Sequence, residues 1–195
     1  MTHTTLVIDI HSWWQPGTGR GSGAHLDALA HVDADGIPEL PGRTLKGLLR
    51  DAMQQAERWG WIDARRHEVL FGKPADKDGN GSSPGALRLA SARLPAEERR
   101  WLATEEGQAA RQQLFTELAS TAIDEKTGSA KDASLRAIQV VLPLTLYARI
   151  EALPGQSLPD DWIHCIKQCL PLIRAVGSGR SRGLGRATLR LEESR

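Results

Sequence analysis

The sequence of 195 residues has few cysteines, and this shortage excludes a disulfide-stapled fold. Its two cysteines are Cys165 and Cys169. Their spacing suits neighbours on one face of a helix, and no CxxC pair accompanies them. We therefore interpret both as small apolar residues of a protein in a reducing compartment.

Long apolar runs and a strong net charge are also lacking. No stretch approaches the ~20 apolar residues that a membrane helix needs, and the N-terminus lacks the basic-then-apolar pattern of a signal peptide. We therefore expect a cytoplasmic protein with no membrane partner. The formal net charge of +1 neither favours nor excludes a nucleic-acid partner.

The charge is nevertheless unevenly distributed along the chain. Residues 174–190 contain five arginines and no acidic residue, whereas residues 24–39 contain four acidic residues and no lysine or arginine. The near-neutral total therefore conceals one strongly basic segment, and such a segment is where a polyanion would bind.

Two familiar catalytic signatures are missing: there is no HExxH and no GxxxxGK[ST] phosphate loop. The glycine-rich stretch 177–187, GSGRSRGLGRA, follows a predicted helix and precedes a predicted strand, which is the reverse of the dinucleotide-binding order. Its glycines permit close backbone approach, and its arginines offer donor forks suited to phosphate. This combination is typical of a surface that holds a polyanion backbone without reading bases. The alternative is a helix C-cap followed by a solvated basic turn.

Hydrophobic patterning predicts a β-α-β unit, an insertion and a second β-α-β unit. The predicted strands are 4–13, 86–94, 137–153 and 187–193, and the predicted helices are 43–60 and 159–177. We expect a loop over 69–85, a surface helix over 95–120 and a protruding hairpin or flexible loop over 121–136. Pro143 indicates an edge position or a bulge in the third strand, and Pro171 should kink or break its helix.

Without the insertion, this order is that of an α+β, ferredoxin-like (RRM-like) antiparallel sheet with two helices. We expect a single domain over 1–195, in which residues 95–137 form an insertion with a surface helix and a thumb-like hairpin.

Two further stretches are candidate phosphate sites. The helix that starts at LPGRTLKGLLRDA carries Arg43 and Lys46 in its first turns, where they oppose the helix dipole unless an anion binds there. Both side chains could instead extend into water at little cost. The glycine loop before it carries Arg20, and Asp27 follows; this carboxylate could hold Mg²⁺ or orient a 2′-hydroxyl of RNA, or could simply form a turn.

Tryptophan is abundant where other aromatics are scarce: six tryptophans accompany one tyrosine and two phenylalanines. Trp13 and Trp14 abut the first glycine loop and could stack a base, although packing in a core or an interface is the commoner use.

In their order, these motifs resemble the RAMP superfamily, the RNA-binding subunits of CRISPR effector complexes, and most closely the repeated backbone subunit of type III complexes. The resemblance is carried by LPGRTLKGLLRDA, VLFG at 69–72, AIDEKTGSAKDASLR and GSGRSRGLGRATL. It implies a modified ferredoxin-like fold that polymerises along guide RNA beside other RAMP subunits and wedges a thumb between bases of the guide–target duplex.

The resemblance also implies site residues. In catalytic members an aspartate between the first strand and the LPG step supports metal-dependent cleavage of target RNA; Asp27 matches this position best, and Asp33 and Asp35 match it less well. Asp27 is thus the candidate catalytic residue and ligand of Mg²⁺ or another divalent cation. The candidate RNA-binding residues are Arg20, His25, Arg43, Thr44, Lys46, Arg50, Lys131, Arg136, Gly177, Gly179, Arg180, Ser181, Arg182, Gly183, Gly185 and Arg186.

Two alternatives remain open. Arg43-Thr44 stands where relatives often have two serines, and the chain is short, which favours a non-catalytic structural RNA-binding subunit. A guide-RNA-processing endoribonuclease that uses His25 or His31 as a metal-free acid or base is the other alternative. In each case we expect Lys46 and Arg180 to converge on one groove that a sugar-phosphate strand can occupy.

Overall fold

An antiparallel sheet of four strands, covered on one face by helices, organises the chain. We describe it from a computed structural model, which describes residues 3–17, 26–73, 75, 80–132 and 134–192. The strands are β1 (His3–Ile10), β2 (Gly72–Lys73), β3 (Ser83–Pro84), β4 (Leu87–Leu89), β5 (Phe115–Ser120), β6 (Arg136–Val141), β7 (Thr145–Ala152) and β8 (Ala187–Leu191). The α-helices are α1 (Gly42–Arg58), α2 (Arg66–Phe71), α3 (Ala96–Leu102), α4 (Gln108–Gln113) and α5 (Trp162–Cys169).

The main sheet has the order β4-β7-β1-β8, and every neighbouring pair is antiparallel. With α1 after β1 and α5 after β7, this is the ferredoxin-like arrangement, so the predicted fold class is confirmed. Two small sheets stand apart from it, one formed by β2 and β3 and the other by β5 and β6.

Helix α1 covers the sheet because its apolar residues recur at helical spacing. Six of its residues are buried: Leu45, Leu48, Leu49, Ala52, Met53 and Ala56. They join one core with Leu6, Ile8 and Ile10, which alternate along β1 and therefore share one face of the sheet. In the sequence the six residues fall at i, i+3, i+4, i+7, i+8 and i+11, so helical periodicity alone predicts this buried stripe, and the structure confirms it.

Several predicted boundaries were wrong. The segment predicted as one helix over 95–120 contains α3 and α4 but ends in strand β5. The segment predicted as one strand over 137–153 is divided between β6 and β7, with Pro143 between them, because proline has no N–H to continue a ladder. Of the strand predicted over 86–94, β4 retains only Leu87–Leu89, and residues 69–71 of the predicted loop belong to α2.

Pro171 ends the second long helix, as predicted. Helix α5 stops at Cys169, and Leu170–Leu172 continue as a short 3₁₀ turn. Cys165 and Cys169 are buried in this helix. Burial raises the pKa of the Cys165 thiol to about 11, with a further contribution from the Asp161 carboxylate, and burial raises that of Cys169 to about 12. Both thiols are therefore protonated and unreactive at neutral pH.

Strands β5 and β6 form a hairpin that lies between β4 and β7 in the sequence, and residues 121–135 continue beyond it. Ile123 bridges Ala130 in this extension. The backbone N–H groups of Lys126 and Thr127 donate hydrogen bonds to Asp124, and these hold the pKa of its carboxyl below the ordinary value. None of the helices among the described residues combines the length and the apolar composition that a membrane span requires.

Candidate nucleic-acid interface

The glycine-rich loop, residues 177–186, is shaped by four glycines with positive φ: Gly177 (80°), Gly179 (70°), Gly183 (86°) and Gly185 (69°). An added Cβ at Gly177 would press on the carbonyl oxygen of Gln15, and one at Gly185 on the carbonyl oxygen of Val176. These two glycines thus let the loop pack against its own chain, whereas the sequence suggested that they leave room for a ligand. At Gly183 an added Cβ would have no atom within 4 Å.

Ser12 holds the glycine-rich loop through two hydrogen bonds. Its Oγ donates to the carbonyl oxygen of Gly183 (3.2 Å) and accepts from the N–H of Arg186 (2.9 Å). Nothing in the sequence marks this role, since a lone serine at the end of a predicted strand has no pattern that identifies its partners.

Residues 13–15 join the glycine-rich loop to the β5–β6 hairpin. The N–H groups of Gly185 and Ser178 donate to the carbonyl oxygens of Trp13 (2.7 Å) and Gln15 (2.8 Å). Trp14 exchanges two hydrogen bonds with Val141 of β6. Because successive residues of an extended segment bond on opposite edges, the loop and the hairpin flank this segment.

The adjacent residues Trp13 and Trp14 therefore differ in whether a ligand can reach their side chains. Trp14 is fully buried, and its indole Nε1 donates to the carbonyl oxygen of Leu142 at 3.2 Å, so it belongs to the core and cannot stack a base. Trp13 keeps 43% of its surface exposed and remains accessible to a ligand.

Arg182 of the glycine-rich loop and Arg136 of β6 line one depression at the base of the hairpin. The depression has a volume of about 330 Å³. Its other lining residues are Ser120, Thr121, Ala122 and Ser134. Among these described lining residues none is acidic, so the depression, here called the hairpin-base site, combines two guanidinium groups with three hydroxyl groups. This is a donor-rich surface suited to phosphate oxygens.

Asp27 lies beside the hairpin-base site. Its N–H donates to the carbonyl oxygen of Ala137 (2.8 Å), and its Oδ2 accepts from the N–H of Ala137 (2.9 Å), the residue after Arg136. The side chain is exposed, and its Oδ1 has no hydrogen-bond partner among the described residues. The hairpin thus holds one carboxylate oxygen of Asp27.

The fit to a divalent cation rests on this single carboxylate. Within the described ranges, no group of three or more His, Cys, Asp or Glu side chains could hold a metal ion. Mg²⁺ is commonly bound through one or two carboxylates together with substrate phosphates and water. Among the described residues, Asp27 therefore fits a cation that a bound RNA phosphate also helps to hold.

The other candidates in the acidic segment hold the loop itself. Asp33 Oδ1 accepts from the N–H groups of Asp35 and Ile37 (3.0 Å each), and its Oδ2 pairs with Arg99 of α3 at 2.9 Å. Burial would raise the pKa of Asp33, but these hydrogen bonds and the Arg99 charge outweigh it and lower the pKa. His31, the candidate metal-free acid or base, lies 3.2 Å from Oε1 of the buried Glu39.

Asp33→Ala should therefore destabilise the fold by about 2 kcal/mol at pH 7, because it removes a carboxylate that accepts three hydrogen bonds. A lowered folded pKa means that this contribution is present above the unfolded value of ~3.9 and is lost as the pH falls through the folded pKa. Urea unfolding at pH 7 and at pH 3 measures both effects. The exposed Asp35→Ala is the control, and an equal loss in both variants would contradict the assignment.

Lys46 and Arg180 do not line the same depression. Arg43, Lys46 and Arg50 line a shallow depression of about 210 Å³ on one face of α1. Arg180 lines another, which uses a neighbouring face of the same helix. The single groove expected from the sequence is therefore two separate depressions. In the glycine-rich loop it is Arg182 that shares a depression with a basic residue distant in the chain, Arg136.

The remaining candidate RNA-binding residues are either exposed on separate elements or lie outside the described residues. Thr44 is exposed in the first turn of α1, Lys131 is exposed beyond the hairpin, and Arg186 is exposed next to its bond with Ser12. Arg20 and His25 lie outside the described residues.

The topology and the basic glycine-rich loop before β8 place the chain among ferredoxin-like proteins. The family model of the RAMP superfamily matches residues 10–188, and the chain belongs to that superfamily. This confirms the resemblance drawn from the motifs.

Two solved structures are similar to the chain. One is the cryo-EM structure of the Type III-B Cmr-beta bound to cognate target RNA, with a TM-score of 0.72, 10% identity, and coverage of 98% of this chain and 97% of that chain. The other is the Type III-B Cmr-beta in the apo state, with a TM-score of 0.66, 11% identity, and coverage of 99% and 98%. At this identity the similarity concerns the fold. A search of curated proteins gives no match.

Proposed function

We propose that this protein is a guide-RNA-binding backbone subunit of a type III CRISPR effector complex. Its partners would be guide RNA, target RNA, other RAMP subunits and further copies of itself in a filament-like assembly. The observation that carries the proposal is the hairpin-base site, where Arg182 of the glycine-rich loop meets Arg136 of β6. Membership of the RAMP superfamily and the similarity to Cmr-beta chains support it.

The chemistry of the hairpin-base site favours a sugar-phosphate strand. Each guanidinium offers a planar fork that matches two phosphate oxygens, and the hydroxyls of Ser120 and Thr121 add donors that rotate to suit. Such contacts fix the position of a strand without reading its sequence. In an RNA-guided complex base pairing supplies the sequence specificity, so a protein of this kind needs no base-specific contact here.

The test is binding of a fluorescein-labelled single-stranded RNA, measured by anisotropy at several salt concentrations. We expect affinity that falls steeply with salt, with a logarithmic slope of about −0.7 for each phosphate contacted. A double-stranded DNA of equal length serves as the comparison. Absence of binding at low salt, or an affinity that salt leaves unchanged, would rule out a phosphate-gripping surface.

We further propose that Asp27 supports cleavage of target RNA. Asp27 would hold a divalent cation such as Mg²⁺, which would supply charge neutralisation at the scissile phosphate. The Ala137 N–H orients the Asp27 carboxylate, and the neighbouring Arg136 brings positive charge to the oxygens on which charge develops. The exposed Oδ1 would face the reacting strand.

Asp27→Asn should lower target-RNA cleavage by the assembled complex about 100-fold or more while RNA affinity stays within about twofold. The asparagine oxygen can still accept from Ala137 N–H, so the change removes charge and leaves the local fold intact. Gel-based cleavage rates with Mg²⁺ present provide the measurement, and Asp35→Asn is the control.

Unchanged cleavage in Asp27→Asn would refute the catalytic assignment. The alternative, a structural RNA-binding subunit, is favoured by the lone carboxylate at the site: the described residues offer no cluster of metal ligands there. That alternative predicts salt-sensitive RNA binding and no cleavage with any divalent cation.

A further inference from the structure

A second cleft opens between α1 and residues 172–181, with a volume of about 390 Å³. Its floor is apolar and is formed by Leu48, Ala52 and Ile173, which are all buried. Polar side chains form its rim, with Asp51 and Gln55 on α1 and Arg174, Arg180 and Ser181 on the opposite wall. Ligand sites span about 300–1,000 Å³, so this cleft has room for one small planar group and not for a duplex.

We propose that this cleft receives a single unstacked nucleobase of the RNA strand held at the hairpin-base site. The inference rests on the proposed function and adds to it a base-binding site that the phosphate contacts do not require. An apolar floor suits the face of a base, and a guanidinium plane such as that of Arg180 can stack on the opposite face.

The rim carries both kinds of hydrogen-bonding group that base edges need. The Gln55 amide offers a donor and an acceptor, and the Asp51 carboxylate accepts. Among the described residues, the Gln55 and Arg180 side chains have no hydrogen-bond partner, and the nearest charge to Asp51 is Arg50 at 3.9 Å. These groups are therefore available to a ligand. A freely rotating amide tolerates any of the four bases, as an RNA-guided protein requires.

The acidic side chain distinguishes this cleft from a phosphate site. The Asp51 side chain is 69% exposed at the rim, where its charge would repel a phosphate group. The hairpin-base site has no acidic side chain among its described lining residues. The cleft thus sets one carboxylate against the guanidinium groups of Arg174 and Arg180, whereas the hairpin-base site has two guanidinium groups and no opposing acid among its described lining residues. This difference favours the phosphate strand at Arg182 and an uncharged base in the cleft.

The two sites are joined by one turn of 3₁₀ helix, Arg180–Arg182. Arg182 lines the hairpin-base site and Arg180 lines the cleft. Two residues of a 3₁₀ helix are about 4 Å apart along its axis, so a strand held at Arg182 passes close to the mouth of the cleft.

Photo-crosslinking tests the inference. Single-stranded RNAs, each carrying one 4-thiouridine at a different position, are bound to the full chain, irradiated, digested with trypsin and analysed by mass spectrometry. The α1 wall of the cleft lies in the tryptic peptide 51–58 and the opposite wall in peptide 168–174. We expect crosslinks to these peptides. Gln55→Ala should lower their yield about fivefold, as loss of one hydrogen bond predicts.

Gln54→Ala is the matched control, since it removes the same side chain from the same helix at a position that does not line the cleft. Its crosslink yield and RNA affinity should equal those of the wild type. Salt-sensitive RNA binding without a crosslink to peptide 51–58 would overturn this inference and leave the proposed function intact. Absence of RNA binding would overturn both. Crosslinking of the cleft peptides to a second copy of the chain, induced by a bifunctional reagent and blocked by Gln55→Ala, would identify a protein-docking cleft and also overturn the inference.

Discussion

Arg182→Ala is expected to weaken single-stranded RNA binding about 10- to 100-fold. Arg182 lines the hairpin-base site with Arg136, and a hydrogen bond to a charged group contributes about 1.5–3 kcal/mol. Losing a phosphate contact should also make the salt dependence shallower by about 0.7 in logarithmic slope. Anisotropy titrations at several salt concentrations measure both quantities.

Arg190→Ala provides the control for total charge. Arg190 belongs to the same basic segment, but it lies on β8 and its Nε is 3.4 Å from the Asp9 carboxylate on the sheet. The two variants lose the same charge, so only a local contact separates them. An equal loss of RNA affinity in both variants would show that the protein attracts RNA through its overall positive charge. It would contradict a direct phosphate contact at the hairpin-base site.

Gly185→Ala is expected to destabilise the fold by about 2–5 kcal/mol. Its φ of 69° is unfavourable for any residue with a Cβ, at a cost of about 1–2 kcal/mol. The new methyl group would also press on the carbonyl oxygen of Val176, and overpacking of this kind costs about 1–3 kcal/mol. Urea unfolding monitored by tryptophan fluorescence gives the free energy of unfolding.

Gly183→Ala separates the two costs. Its φ is 86°, but an added Cβ would meet no atom within 4 Å. We expect a loss of only about 1–2 kcal/mol, since only the backbone penalty applies. Equal losses of stability in the two variants would show that Gly185 is not required for close packing of the loop against Val176.

Local patterns in the sequence were sufficient to predict the main elements. The buried stripe of α1 follows from helical periodicity, and the end of α5 before Pro171 follows from the missing N–H of proline. The ferredoxin-like order followed from arranging these elements along the chain. Each of these inferences depends on residues close together in sequence.

Features that depend on distant partners could not be predicted. The segment 115–120 is polar enough to resemble a surface helix, yet it forms β5 because β6 pairs with it along its whole length. The sequence marks Asp33 only as a weaker match to the catalytic position, because its ion pair with Arg99 of α3 joins residues that are far apart in the chain.

The candidate site likewise depends on residues that are distant in the chain, so the sequence alone could not predict it. The basic glycine-rich loop is visible in the sequence, but its partner is not. Arg182 meets Arg136 only because residues 13–15 bond to the loop on one edge and to β6 on the other. The sequence suggested Lys46 and Arg180 instead, since both lie beside glycines near helices, but the two residues line different depressions.

A cryo-EM map of the protein bound to its guide RNA tests the central claim most directly. We predict RNA phosphate oxygens about 3 Å from the guanidinium groups of both Arg136 and Arg182. A map in which the hairpin-base site is covered by protein, with the RNA strand bound elsewhere, would contradict it.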